Sequence, residues 1–559
     1  MSDSRGSVGY TALTFAPVQG FIRSSRKLRD LYGSSLLLSH LAHAICADAA
    51  SFLGRSDAVI SPAGVQISQG VPNTVIIQGD YPKAQARAAL LQAWSKVLNV
   101  CRSWLEKTIR VEDFQPVPDG WCDWEQGWGA SWKAAASHSW EVFHGAGDTI
   151  HAARQALLIS KQQRDWSVPN WTGESSTLSS AEAVVRPMMA RVIPPWKVDA
   201  AMAAKEASNM LAQLREELGE AFADFADRKE EISLLELVKR LITYRPILRN
   251  AFVLDQPLDD QMVEALLQRF VQLSTRQDRE QQAKPESIIW FMADGDQIGS
   301  YLTRIAQQDG EEQSLRHFSS TMRAWAASLY QAVPHRMGGG EKPKATVVYA
   351  GGDDLLGALH ETVPGKADLT TSDLWHWLLA FPSIWEEAKH PELTISMGVV
   401  WADATVPQRE ALQHAREAEA TAKTRGRDRF ALRLLYASGN HLEWSCPWSW
   451  LRPILDSYTD RHGRTAASRD GKAPNWRHLA EDVVWLQERQ AMTRETAEAL
   501  WQAYFPGCVL PEPQQKRAPD DDPYVASHLE PEQGRAFAPW LLNLGRVMAG
   551  MEKRQEAVG

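Results

Sequence analysis

The sequence predicts an α+β chain with two ferredoxin-like domains, a helical insert between them and a helical C-terminal domain. Three observations carry this. Strand-like apolar runs alternate with helix-period segments over residues 283–436 in the order β-α-β-β-α-β, with a further α-β. A weaker β-α-β-β-α succession occupies residues 1–115. Residues 116–282 and 437–559 read mainly as helices broken by polar and Pro-rich loops.

The elements of residues 283–436 follow in turn. Ile288–Ala293 is a continuous apolar run, read as a strand buried on both faces, and it ends in Asp294-Gly295-Asp296. A helix-like segment starts near Ile298, and another covers about 313–331. Ala345–Ala350 is the second strand, residues 355–360 the third, and Gly351-Gly352-Asp353-Asp354 the turn between them. A Trp- and Leu-rich helix over 372–388 leads to the strand 393–401. The helix 407–424 places Leu412, Ala415, Ala418 and Ala422 on one face, and Gly426 can stop it. The last strand, 429–435, alternates Phe430, Leu432 and Leu434 with Arg429 and Arg433.

This topology brings distant acids together. A right-handed βαβ crossover makes the first two strands parallel, so their C-terminal ends share one sheet edge. Asp294 ends the first strand, and Asp353 and Asp354 follow the second. By itself the Gly-Gly-Asp-Asp turn is also consistent with an ordinary solvated hairpin, since Gly and Asp are common turn residues. Three or four acids at one edge oppose their own ionisation unless a cation neutralises them, and Mg²⁺ or Mn²⁺ prefers such hard oxygen ligands. The metal-ligand set expected here is Asp294, Asp296, Asp353 and Asp354, holding two ions, with Asp294, Asp353 and Asp354 catalytic. Gly295, Gln297, Ile298 and Gly299 at a helix start, with Gly351 and Gly352 at the turn, let a phosphate approach the backbone. Lys423 is the expected triphosphate ligand, and Arg425, Arg427 and Arg429 could assist. The plainer reading of these four bases is a solvated helix end, where cations are favoured.

Asp-Gly-Asp-x-x-Gly at 294–299, Tyr-Ala-Gly-Gly-Asp-Asp at 349–354, Thr-Ile-Ser-Met-Gly at 394–398 and Ala-Lys-x-x-Gly-Arg-x-Arg at 422–429 together resemble the catalytic palm of nucleotidyl and diguanylate cyclases. The Gly-Gly-Asp-Asp form resembles the large polymerase-like subunit of type III CRISPR–Cas effector complexes. The string from Thr11 to Ser39, with Arg23, Arg26, Lys27 and Arg29 among Ile22, Leu28 and Leu31, is similar to the first palm of its Cmr-type (III-B) form. Taken alone, that basic helix would read as a solvated face. Val71–Gln78 and Trp171–Leu178 resemble further segments of the same subunit.

The resemblance implies synthesis of cyclic oligoadenylate from ATP, switched on by target RNA. It implies crRNA, target RNA, a small subunit and a guide-5′-end-binding subunit as partners. It implies a first palm, without acids of its own, that helps bind a second ATP. Two departures stand out. Many relatives begin with an HD nuclease domain, but no His-Asp dipeptide occurs here, so no DNase activity is expected. Many carry paired Cys-x-x-Cys motifs, whereas Cys46, Cys101, Cys122, Cys446 and Cys508 are far apart, so no zinc is expected. The implied division is a first palm (1–115), a helical insert (116–282), a catalytic palm (283–436) and a C-terminal helical domain (437–559). Two other readings stay open: a scaffold subunit without catalysis, and a stand-alone dinucleotide cyclase using GTP.

Composition bounds the rest. The 559 residues allow three to four domains. A net charge of −9 argues against nucleic-acid binding over the whole surface and leaves room for local basic grooves. Scattered cysteines and the lack of an apolar signal core at Met1–Arg5 fit a reducing cytoplasm, and no membrane span is expected. The 23 tryptophans concentrate at 104–171 and 440–501, where packing outranks base stacking as their expected role.

Overall fold

A computed structural model describes residues 9–23, 25, 28–64, 67, 70, 72, 74–109, 124–163, 175–180, 182–185, 200–218, 230–252, 263–264, 287–337, 344–360, 369–403, 405–466, 473–510 and 537–558. The chain divides into two compact units. The first is Met1–Ala283 with Leu302–Arg323, and the second is Lys284–Tyr301 with Ala324–Gly559. Arg26, Lys27, Cys122, Trp171, the 187–195 loop and the Pro-rich run 511–523 lie outside the described residues. So do residues 258–275, apart from residues 263–264.

The first unit holds an antiparallel sheet of β1 (Tyr10–Ala16), β2 (Val59–Ser61), β3 (Thr74–Gln78) and β4 (Glu141–Gly147), in the order β2-β3-β1-β4. β1 and β2 both run antiparallel to β3, so they are parallel to each other, as the βαβ expectation requires. Its helices are α1 (Val18–Arg23), α2 (Leu28–Phe52), α3 (Lys83–Thr108), α4 (Trp124–His138), α5 (Ile150–Gln162), α6 (Ala200–Leu218), α7 (Leu234–Leu241) and α8 (Arg245–Ala251).

β4 corrects the expectation of a purely helical segment after residue 115. Its sequence, Glu-Val-Phe-His-Gly-Ala-Gly, carries two glycines and so reads poorly as a strand. The glycines have a packing reason. A Cβ on Gly147 would stand 2.7 Å from the Ala152 Cβ, and one on Gly145 would run into the backbone of α5.

Asp30–Phe52 within α2 is long and apolar enough to cross a bilayer by length and composition, yet 67% of its most apolar window is buried inside the protein. α2 lies against α3 and α7. A buried ionic network joins α2 to α7. The Arg240 guanidinium donates to Asp30 at 2.9 Å and to Glu230 at 2.8 Å, with all three side chains at most 5% exposed. Removing one member of such a set costs about 3–5 kcal/mol, because the partners stay buried without their counter-charge.

The second unit holds a six-stranded sheet of β5 (Ile288–Gly295), β6 (Ala345–Gly351), β7 (Asp354–Leu359), β8 (Ile395–Ala402), β9 (Arg429–Leu435) and β10 (His441–Pro447), in the order β10-β9-β8-β5-β7-β6. The inner order β8-β5-β7-β6 is that of a ferredoxin-like βαββαβ unit. β5 and β6 each run antiparallel to β7, which makes them parallel to each other. β9 adds parallel to β8, and β10 returns antiparallel on β9. α9 (Ile298–Asp309) and α10 (Glu311–Arg336) link β5 to β6. α11 (Thr371–Glu386) and α12 (Gln408–Thr424) flank β8, and α13 (Trp448–Ser457), α14 (Arg477–Glu488), α15 (Arg494–Tyr504) and α16 (Phe537–Val558) complete the unit.

One expectation changes here, and the arginines of β9 find their place. The C-terminal region is not wholly helical, since β10 extends the sheet. β9 also has no solvent-facing row. Arg429 is 1% exposed, and Arg433 donates to Glu443 at 2.6 Å and to Glu417 at 2.7 Å, so β10 and α12 seal both arginines in. Trp290, Trp377, Trp401, Trp444 and Trp450 are fully buried, so these tryptophans fill the core.

Candidate nucleotidyl-transfer site

The site lies where β5 and the β6–β7 hairpin end on one edge of the second unit's sheet. Gly351 pairs with Asp354 across the hairpin, leaving Gly352 and Asp353 at its tip. Gly352 has φ +67°, a left-handed conformation that a side chain would strain by about 1–2 kcal/mol. The pairing slips between Val347 and Tyr349, and such a bulge re-aims the residues that follow it.

The two acidic motifs meet through Gly295. A Cβ at that position would stand 3.0 Å from both the Asp353 Cβ and Oδ2. The Gly295 N–H also hydrogen-bonds the Asp353 carboxylate. A glycine between two acids therefore lets a third acid dock on the strand end.

Burial pushes the Asp353 carboxyl up to about 6, against the hydrogen bonds that favour its charge. Asp354 is pushed up too, by burial first and then by the charges of Asp353 and Glu419. Its side chain keeps an exposed rim, so water moderates the shift. Glu419 is raised to about 7 by burial and by Asp296.

Asp296 is 1% exposed and both its oxygens are engaged. Ser396 Oγ donates at 2.7 Å, Thr394 Oγ1 at 2.8 Å and the Asp428 N–H at 3.0 Å. Asp296 thus ties β5 to the start of β8 and to the loop after α12. That loop carries three successive positive φ values, at Gly426, Arg427 and Asp428.

Lys423 reaches the site from α12. Its ammonium is bonded to Asp294 and sits 2.8 Å from Glu419 Oε1. Burial and the neighbouring Arg427 pull the ammonium down to about 8. Of the other expected bases, Arg425 pairs with Glu443 at 3.4 Å, and Arg429 is buried in β9, donating to the Arg427 carbonyl at 3.0 Å. The structure therefore makes Arg429 a core residue rather than a triphosphate ligand.

Gln297 adopts φ +54° and Ile298 begins α9. A Cβ on Gly299 would meet nothing within 4 Å, so the backbone there stands in open space at a helix start. Such a terminus attracts phosphate.

Among the described residues, no group of three or more His, Cys, Asp and Glu side chains is gathered closely enough to hold a metal ion. The donor chemistry nevertheless fits a hard divalent cation. Asp353 and Asp354 resist ionisation side by side, and Asp294 is compensated by an ammonium, itself a cation.

Glu419 escaped the sequence reading. An acid four residues before a lysine on a helix is too common a pair to signal a site.

Residues 288–431 match the family described as Cas10/Cmr2, second palm domain. Residues 10–96 match the family described as CRISPR-associated protein Cmr2, N-terminal. Both matched models describe Cas10/Cmr2 proteins, and each spans less than half of the chain. The Cmr2 match suggests the Cmr type. The matched palm thus runs from β5 into β9 and contains Asp294, Asp296, Asp353, Asp354 and Glu419. No curated protein matches the sequence.

Among solved structures, the chain is similar to a Csm1–Csm4 cassette in complex with pppApApA, at 14% identity and a TM-score of 0.47, covering 98% of this chain and 71% of that one. It is also similar to a Csm1–Csm4 cassette in complex with cA4, at 12% identity and TM-score 0.44, covering 98% and 70%. A third likeness is to Csm1 in T.onnurineus, at 13% identity and TM-score 0.44, again covering 98% and 70%. Likenesses this distant carry no inference about activity.

Proposed function

We propose that this chain is the large subunit of a type III CRISPR effector and makes cyclic oligoadenylate from ATP when the complex holds target RNA. The observation that carries the reading is the docking of Asp353 on Gly295, which joins both acidic motifs of a Cas10/Cmr2 palm at one strand edge. Asp294, Asp353 and Asp354 would hold Mg²⁺ or Mn²⁺. When bound, a pair of such ions supplies an activated 3′-hydroxyl and charge stabilisation for the leaving pyrophosphate. The chain's own residues do the rest. Asp296 is engaged by Thr394, Ser396 and Asp428, so it holds the loop after α12 in place. Lys423 moves from Asp294 to the triphosphate. The α9 start at Gln297, Ile298 and Gly299, with the glycine turn at Gly351 and Gly352, admits the phosphates. The new bond joins a 3′-oxygen to an α-phosphorus, pyrophosphate leaves, and the hydroxyl proton passes to solvent.

In this reading crRNA, target RNA, a small subunit and a guide-5′-end-binding subunit are the partners, in the cytoplasm. The chain comprises a first palm (1–115, completed by β4), an insert to residue 282, the catalytic palm 283–436 and a C-terminal domain 437–559. One observation favours a scaffold instead: the Lys423–Asp294 pair, which satisfies Asp294 without metal.

The assembled complex, given labelled ATP, Mn²⁺ and target RNA, is expected to yield oligoadenylate, resolved by mass. A complex that binds target RNA and yields none establishes the scaffold. Products from GTP alone would point to a dinucleotide cyclase.

A further inference from the structure

We propose that Glu419 is a positioning residue that governs cation entry at Asp294 by giving Lys423 a second seat. This rests on the reading above that Asp294 takes a divalent cation.

The geometry is specific. The Lys423 ammonium bridges Asp294 on β5 and Glu419 on its own helix, at 2.8 Å from Glu419 Oε1. The Glu419 side chain is 14% exposed and that of Lys423 30%, so this is not the solvated i,i+4 pair of an open helix face. The approach of α12 is built in. A Cβ on Gly398 of β8 would collide with the Ala415 carbonyl and the Glu419 amide, so glycine there seats the helix directly on the strand. Gly398 pairs with Met292, two residues before Asp294 on β5. Glu419 also lies within electrostatic reach of Asp354 and Asp296, which places it inside the acidic cluster.

A divalent cation arriving at Asp294 must displace the ammonium. Without another acceptor, Lys423 would either stay on Asp294 or leave a part-buried charge without a partner, which is costly. Glu419, one helical turn away, accepts it. The displaced ammonium then stays beside the site, where incoming phosphates can meet it. With glutamine at 419, Lys423 has Asp294 as its single anionic partner and competes harder with the cation.

The test is Mn²⁺ binding to the full chain, read by the electron paramagnetic resonance signal of free Mn²⁺, with thermal melting to check folding. Asp294→Asn identifies the relevant Mn²⁺ site. Glu419→Gln is expected to weaken that site about tenfold, and Lys423→Met to strengthen it. The double variant Glu419→Gln/Lys423→Met is expected to bind like Lys423→Met alone, because Glu419 acts through the lysine. A plain helix-surface pair predicts no change in Mn²⁺ affinity for Glu419→Gln, and that result overturns the proposal. A double variant as weak as Glu419→Gln also overturns it, since Glu419 would then act on the cation directly. If wild type has no Asp294-dependent Mn²⁺ site, the metal reading itself falls, an outcome distinct from both.

Discussion

Asp353→Ala/Asp354→Ala is expected to lower oligoadenylate synthesis by roughly a thousandfold or more, the loss typical when a residue set acting as a unit is removed. The complex should still bind target RNA. Asp353 docks on Gly295 and Asp354 closes the hairpin, so the pair sets two carboxyl groups side by side at the strand edge. Neither side chain is needed to fold the hairpin, since the left-handed position belongs to Gly352. Both acids ionise reluctantly, so deleting them relieves repulsion, and the variant should melt no lower than wild type at neutral pH. Loss of product with an unchanged or higher melting temperature is the signature of a site that sacrifices stability for function. A variant that keeps its product would remove these acids from the chemistry.

The same reluctance to ionise sets a pH dependence of stability. Asp353 titrates near 6 in the folded chain, against about 4 when unfolded. Below pH 4 the carboxyl is protonated in both states and costs nothing. Between 4 and 6 the unfolded chain gives up its proton while the folded chain keeps it, so stability falls as pH rises. The loss is complete above 6 and amounts to about 1–3 kcal/mol for this group. Asp354 and Glu419, raised in the same direction, carry the decline further. A divalent cation binds the ionised forms and reverses it, so Mn²⁺ should raise the melting temperature strongly at pH 7.5 and little at pH 4.5. The measurement is the difference in melting temperature between wild type and Asp353→Asn across pH 4–8, with and without Mn²⁺. A difference that stays flat from pH 4 to 6 contradicts the account.

Much of this was legible in the sequence because a few residues carry strong local signals. The apolar run at 288–293, the glycine-paired acids and the alanine stripe of α12 each match an observed element closely. The parallel relation of β5 and β6 followed from crossover topology alone.

What escaped was set by tertiary context. β4 hid because its glycines serve the close approach of α5 rather than strand propensity. β10 hid because seven residues between a turn and a helix give little periodicity. Arg429 and Arg433 look like a wet strand face, and only the hairpin partner and α12 bury them. Asp296 and Asp294 are two residues apart and chemically identical. Yet one is fully hydrogen-bonded by Thr394, Ser396 and Asp428, while the other meets a lysine from a helix 129 positions away in sequence. No local pattern separates those roles.

The central claim is that Asp294 and the Asp353–Asp354 turn form one cation site. Anomalous scattering from Mn²⁺ in crystals of the chain with a non-hydrolysable ATP analogue tests it most directly. The account predicts a manganese peak shared by Asp294 and Asp353, with Lys423 moved off Asp294 toward the phosphates. Nucleotide bound with Lys423 still on Asp294, and no manganese at the Asp353–Asp354 turn, would contradict it.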